Sequence, residues 1–197
     1  MKNIDFFFDL SSPYSYLAAT QLPSVAERAG AQIRWLPFVL GAVFKAAGNV
    51  MPAASPPKAR YMLDDLTRWA DEYGVPFRMN TRFPVNALKA MRLVVAAEAE
   101  DRAADVAQTA FRALWVDDRD VTAPEELRAI AVASRLDAER ALVAIESAAI
   151  KERLRAYTDD AIRRGAFGAP SFFVGEQLFW GNDRLHQVEA ALRRLPG

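Results

Sequence analysis

The first 38 residues constrain the fold more than any other stretch of the chain. Ile4 to Phe8 is a short apolar, aromatic run with Asp9 directly after it, the pattern of a buried strand. Asp9-Leu10-Ser11-Ser12-Pro13-Tyr14-Ser15-Tyr16 then opens a helix. Ser12 is a good N-cap, and Pro13 stands at the first helical position, where its missing N–H costs nothing. The helix should run to about Ala29 and stop at Gly30, and Gln32 to Phe38 reads as a second strand. Strand, helix and strand in so short a span form a βαβ unit, which makes the two strands parallel.

The middle of the chain changes character. Leu40 to Ala47 is one short helical piece, and 48–57 is a loop holding Pro52, Pro56 and Pro57. Alanine-rich helical stretches follow at about 57–73, 85–100, 102–116, 124–134 and 137–163, with Thr122 ahead of Pro124 marking one start. Strand signals return after Gly165: Ser171 to Val174, a Gly175-Glu176 turn, and Gln177 to Trp180 make a hairpin. Asn182 should then cap a last amphipathic helix that turns Leu185, Val188, Ala191 and Leu192 inward. The expected class is α/β, with 1–40 and 165–197 forming one domain and 41–164 a large all-helical insertion that carries an active-site loop.

Composition removes much chemistry. There is no cysteine, so thiol nucleophiles, dithiol redox chemistry and Cys-ligated metals are excluded. The single histidine, His186, reads as a partly exposed residue of the last helix and not a catalytic base; no metal site is expected. Lys+Arg and Asp+Glu are each 25, a balance that argues against nucleic-acid binding by phosphate neutralisation. No signal segment or transmembrane run is visible, so the expectation is a cytoplasmic protein without membrane partners.

Four places could carry chemistry. Ser12 lies where a helix N-terminus favours negative charge, and its hydroxyl either donates to an anion or thiolate or simply caps. Ala169-Pro170 precedes a strand; a cis bond there would turn the Ala169 backbone outward to pair with an extended ligand, and a trans proline would merely start the strand. In Trp180-Gly181-Asn182-Asp183, Asp183 either answers a ligand ammonium group or complements the helix dipole. Asn49, Lys58 and Tyr61 flank the Pro-rich loop, where Lys58 either meets a ligand carboxylate or stays in solvent. Phe83-Pro84-Val85-Asn86 opens a further helix.

Together these places match the thioredoxin-like β-α-β / β-β-α plan, with Ser12-Pro13-Tyr14-Ser15 where Cys-Pro-X-Cys would stand. The long helical insertion is the DsbA-like arrangement. The chain resembles the 2-hydroxychromene-2-carboxylate isomerases, relatives of the kappa-class glutathione transferases. The resemblance rests on Phe8 to Leu17, Gly48-Asn49-Val50, Phe83 to Asn86, Phe167 to Pro170 and Phe179 to Leu185. It implies glutathione as cofactor, with Ser12, and not Ser11, meeting the sulfur, because the family serine directly precedes the proline. It implies that Ala169, beside Pro170, holds the cysteinyl part. Trp180, Gly181, Asn182 and Asp183 hold the γ-glutamyl end, and Asn49 and Lys58 lie near the glycine end or the acid substrate. Phe44, Lys45 and Asn86 belong to the implied substrate pocket. The implied reaction is reversible thiolate addition to an unsaturated aromatic pyruvate, rotation and elimination, carried out by a homodimer in aromatic catabolism. Two alternatives stay open: a kappa-like glutathione transferase, and a redox-inactive thioredoxin-fold binding protein.

Overall fold

The computed structural model of the chain describes residues 2–51 and 55–195. Pro52 of the expected loop and the terminal Pro196-Gly197 lie outside them. The element order is β1 (Lys2–Phe8), α1 (Pro13–Ala29), β2 (Ala31–Pro37), α2 (Leu40–Ala47), α3 (Pro56–Tyr73), α4 (Leu88–Ala96), α5 (Ala103–Trp115), α6 (Pro124–Ala133), α7 (Ala138–Ala144), α8 (Ala148–Arg163), β3 (Ser171–Val174), β4 (Gln177–Trp180) and α9 (Leu185–Arg194). Short 3₁₀ turns cover Ala97–Glu100 and Asn182–Arg184.

The strands form one mixed sheet in the order β2-β1-β3-β4. β1 pairs parallel with β2 and antiparallel with β3, and β3 and β4 make the hairpin. Both faces are covered, which is why β1 reads as continuous apolar sequence rather than alternation. Phe6, Phe8 and Phe172 point to one face and join the core built with α1, α4, α5 and α9. Phe7 and Phe173 point to the other, where they meet Leu36, Phe38, Val43 and Ala161. The Phe6 ring stacks on Phe8 at 5.0 Å and on Phe172 at 5.2 Å, and Phe8 meets Phe111 of the helical block at 5.5 Å. Sheet and helical block thus share one apolar core; each fully buried Phe contributes about 1.5–3 kcal/mol of transfer free energy.

The expected strand–helix junction, hairpin and final helix face are all present. Pro23 sits inside α1 without ending it. Four details differ from the sequence expectation. The stretch 137–163 is two helices, because Ser147 turns its hydroxyl to the Ile150 N–H (3.3 Å) and starts α8 afresh. Pro56 and Pro57 belong to the first turn of α3 rather than to the loop. Thr122 does not cap α6: its hydroxyl donates to Asp120 (2.6 Å), and Ala123 stands at the cap without a side-chain bond. Nor does Asn182 cap α9, whose cap position is Arg184.

Candidate active site

The site begins where β1 hands over to α1. Ser12 is buried, with extended backbone dihedrals of −94° and 111°, and its Oγ accepts from the Ser15 N–H at 3.2 Å. The first N–H groups of a helix have no intrahelical partner and carry the positive end of its dipole, so electron-rich atoms are favoured there. Across the gap, Ser12 Oγ lies 3.5 Å from the Ala169 carbonyl oxygen. That distance is at the outer limit of hydrogen bonding, which leaves the hydroxyl proton free for a better acceptor. One turn below, Ser15 Oγ is buried without a partner among the described residues.

Ala169 belongs to a tightly tied loop. The Ala169-Pro170 bond is cis, as the sequence suggested. Pro170 O accepts from the Gly181 N–H (3.0 Å), and Ser171 Oγ donates to Gly168 O (2.8 Å). Gly168 lies flat against Trp180: a Cβ there would fall 2.5 Å from the indole Nε1. The Phe167 and Trp180 rings meet at 5.0 Å, and Asn49 Nδ2 donates to Phe167 O at 3.3 Å. The loop thereby gathers Asn49, Ala169, Pro170, Trp180 and Gly181, which are distant in sequence. Gly181 has φ of +101°, and a Cβ there would strike Asp183 Oδ1. Only glycine lets the chain turn there and bring Asp183 back over it.

Asn182 is held from the side. Its amide donates to the Tyr73 hydroxyl (3.3 Å), and that hydroxyl donates to the Asn182 carbonyl (3.0 Å). Asn182 therefore pins the turn to α3. Asp183 is half-buried and pairs with Arg184. It lies close enough to Tyr14 to act on it. The Tyr14 phenol is pushed well above its ordinary range, first by burial and then by Asp65, with Tyr61 and Asp183 adding to the effect. Tyr14 donates to Asp65 Oδ2 at 2.9 Å. The sequence reading missed Asp65; its signal was the position four residues after Tyr61 on one face of α3.

Three expected residues stand apart from this cluster. Lys45 and Lys58 are exposed, Phe44 is half-buried, and none of the bonds just described reaches them. Asn86 instead lines a cavity of about 210 Å³ with Asp9, Ser11, Val39, Leu88 and Met91. Asp9 is the second group that sequence reasoning passed over. It is 4% exposed, its Oδ1 accepts from the Ser11 N–H (2.8 Å) and Ser11 Oγ (2.7 Å), and its Oδ2 accepts from the Leu40 N–H (2.9 Å). Burial raises its pKa above the ordinary carboxyl value against the pull of those bonds. A larger hollow of about 470 Å³, lined by Tyr16, Pro23, Gln108, Arg112 and Val116, contains none of the expected site residues. Trp115 belongs to the core: it is fully buried and its indole donates to Leu10 O at 2.9 Å. His186 is exposed on α9.

Residues 3–193 match the profile of the DSBA-like thioredoxin domain. The chain is 38% identical over 196 residues to a 2-hydroxychromene-2-carboxylate isomerase of Sphingobium xenophagum, covering 97% of this chain and 98% of that one. It is 28% identical over 215 residues to glutathione S-transferase kappa 1 of Caenorhabditis elegans, covering 98% and 92%. The solved structure of a 2-hydroxychromene-2-carboxylate isomerase superposes with a TM-score of 0.89 at 33% identity, covering 98% of this chain and 95% of that one.

Proposed function

The chain belongs to the DSBA-like thioredoxin domain family and, within it, to the 2-hydroxychromene-2-carboxylate isomerases, and from that premise we propose that its isomerase site works with glutathione held against Ser12. The observation that carries this reading is the meeting of Ser12 Oγ with the Ala169 carbonyl at the N-terminus of α1. The residues fit the tripeptide. A chain without cysteine must take its sulfur from outside. The helix end favours an anionic sulfur, the Ala169 backbone offers an edge for the cysteinyl unit, and Asp183 answers an ammonium group.

When bound, glutathione supplies a thiol whose deprotonated form adds reversibly to a polarised carbon–carbon double bond. A free thiol has a pKa of about 8.5, so it is mostly protonated at neutral pH. Ser12 donates its hydroxyl proton toward the sulfur, and the α1 dipole adds to the stabilisation, so both lower that pKa. Asn182, whose amide nitrogen and main-chain carbonyl both meet the Tyr73 hydroxyl, holds the turn that presents Trp180, Gly181 and Asp183. Asn49, tied to Phe167, and the exposed Lys58 are assigned to the glycine end or the acid substrate. The substrate is an aromatic acid of the 2-hydroxychromene-2-carboxylate type, turned in the region of Phe44, Lys45 and Asn86. The protein works as a homodimer in the cytoplasm, where thiols stay reduced.

Calorimetry with millimolar glutathione tests the reading. Saturable heat that Ser12→Ala alters supports it; no heat with the wild type overturns it.

A further inference from the structure

A second, smaller cavity lies beside the α1 N-terminus. At about 210 Å³ it is smaller than the roughly 300–1,000 Å³ that drug-sized ligands need, and it suits one small bicyclic acid. Ser11 forms part of its wall, and consecutive Cα atoms are about 3.8 Å apart, so an occupant lies within one residue of Ser12. Behind Ser11 sits the buried Asp9 carboxyl, 2.7 Å from Ser11 Oγ. An O–H···O contact of that length serves equally well with either oxygen as donor. Asn86 Oδ1 accepts from the Leu88 N–H at 3.2 Å, so its amide N–H groups remain to meet a substrate carboxylate.

We propose that Asp9 and Ser11 form a proton relay that opens and closes the cyclic hemiketal of a 2-hydroxychromene-2-carboxylate lodged against Asn86. This rests on the substrate class proposed above, and it needs no sulfur. In the opening direction the Asp9 carboxyl gives its proton to Ser11 Oγ, and Ser11 gives its own to the ring oxygen. The bond from C2 to the ring oxygen breaks, and its electron pair leaves with that oxygen. A lone pair of the 2-hydroxyl oxygen forms the C2 carbonyl, and the 2-hydroxyl proton returns through Ser11 to Asp9. One C–O bond breaks, one C=O forms, and one proton has moved between the two oxygens. Ser11 is the residue that touches substrate; Asp9 acts through it. Burial keeps Asp9 in the acid form to higher pH than an ordinary carboxyl. Leu40, which bonds to it, and the residues that line the cavity with it, among them Ser11, Val39, Asn86, Leu88 and Met91, are all uncharged.

The experiment uses glutathione-free protein and 2-hydroxychromene-2-carboxylate itself, with exchange between ring-closed and ring-open forms followed by NMR. Wild type should accelerate the exchange. General acid–base catalysis is worth about 10²–10⁴-fold, so Ser11→Ala should remove at least about 100-fold of the acceleration, and Ser11→Thr should restore most of it. The wild-type rate should fall as pH rises through the Asp9 titration, and that limb should vanish in Ser11→Ala. Wild type that does not accelerate exchange, or Ser11→Ala that matches it, overturns the relay. Glutathione calorimetry on the same samples judges the sulfur site separately, so either reading can fail alone. Asp9→Asn is secondary, because its amide would face the Leu40 N–H with a second donor.

Discussion

Ser12 Oγ faces the carbonyl oxygen of Ala169 across 3.5 Å, although the two residues are 157 positions apart. This pairing joins a helix N-terminus to a backbone edge. One side favours negative charge and the other presents backbone of the kind an extended peptide pairs with.

Ser12→Ala should raise the pKa of enzyme-bound glutathione and lower turnover. Loss of one charge-assisted hydrogen bond costs about 1.5–3 kcal/mol, or about 10- to 100-fold. Thiolate absorbance against pH measures the first effect directly. Ser11→Ala should leave that titration unchanged, because Ser11 bonds to Asp9 and not to the gap. Equal shifts in both variants would show that the serine roles are wrongly divided.

Asp183→Asn should weaken glutathione binding about tenfold, which corresponds to about 1.4 kcal/mol. The effect should be in affinity, with the pH titration of the bound thiol retained. Calorimetry across a series of glutathione analogues lacking the free amine gives the control. Analogues that bind both proteins alike confirm an ammonium contact, and analogues that keep the tenfold difference refute it.

Gly168→Ala should push the Trp180 indole away, since the new methyl would sit 2.5 Å from its Nε1. Trp180 is 48% exposed, so the ring can swing outward and the stability cost should be small, about 1 kcal/mol. Glutathione affinity should nevertheless fall several-fold. A lowered melting temperature with unchanged affinity would remove Trp180 from the glutathione site.

Stability should depend on pH through Asp9. Its folded-state pKa is raised from 3.8 by burial, so the folded chain holds this proton more tightly than the unfolded one. The resulting stabilisation is complete below the unfolded value and is lost as pH rises through the folded one. Melting curves of wild type and Asp9→Asn, subtracted across mildly acidic pH, should show wild type losing stability relative to the variant as pH increases. A flat difference would mean that Asp9 titrates normally.

Light scattering should give twice the 21.9 kDa chain mass at micromolar concentration. Trp115 plays no part in that association, because it is buried within one chain. A monomer mass would remove the homodimer.

Local pattern determined a large part of this protein. The Ser12-Pro13 helix start, the Gly30 stop, the hairpin from Ser171 to Trp180 and the inward face of Leu185, Val188, Ala191 and Leu192 follow from capping, turn chemistry and periodicity, which act within a few residues. The family motifs likewise stood in the sequence, and with them the approach of Ser12 to the Ala169-Pro170 turn. Tertiary structure decided the rest. Asn182 looked like a cap, but its amide turns to the Tyr73 hydroxyl, 109 positions away, and the cap position of the last helix falls on Arg184. Asp65 gained its place only when α3 packed beside Tyr14. Asp9 reads as an ordinary strand-end carboxylate until Ser11, Leu40 and the α4 segment close over it. Burial and long-range hydrogen bonds depend on which elements meet, and residues neighbouring in sequence carry no record of that meeting.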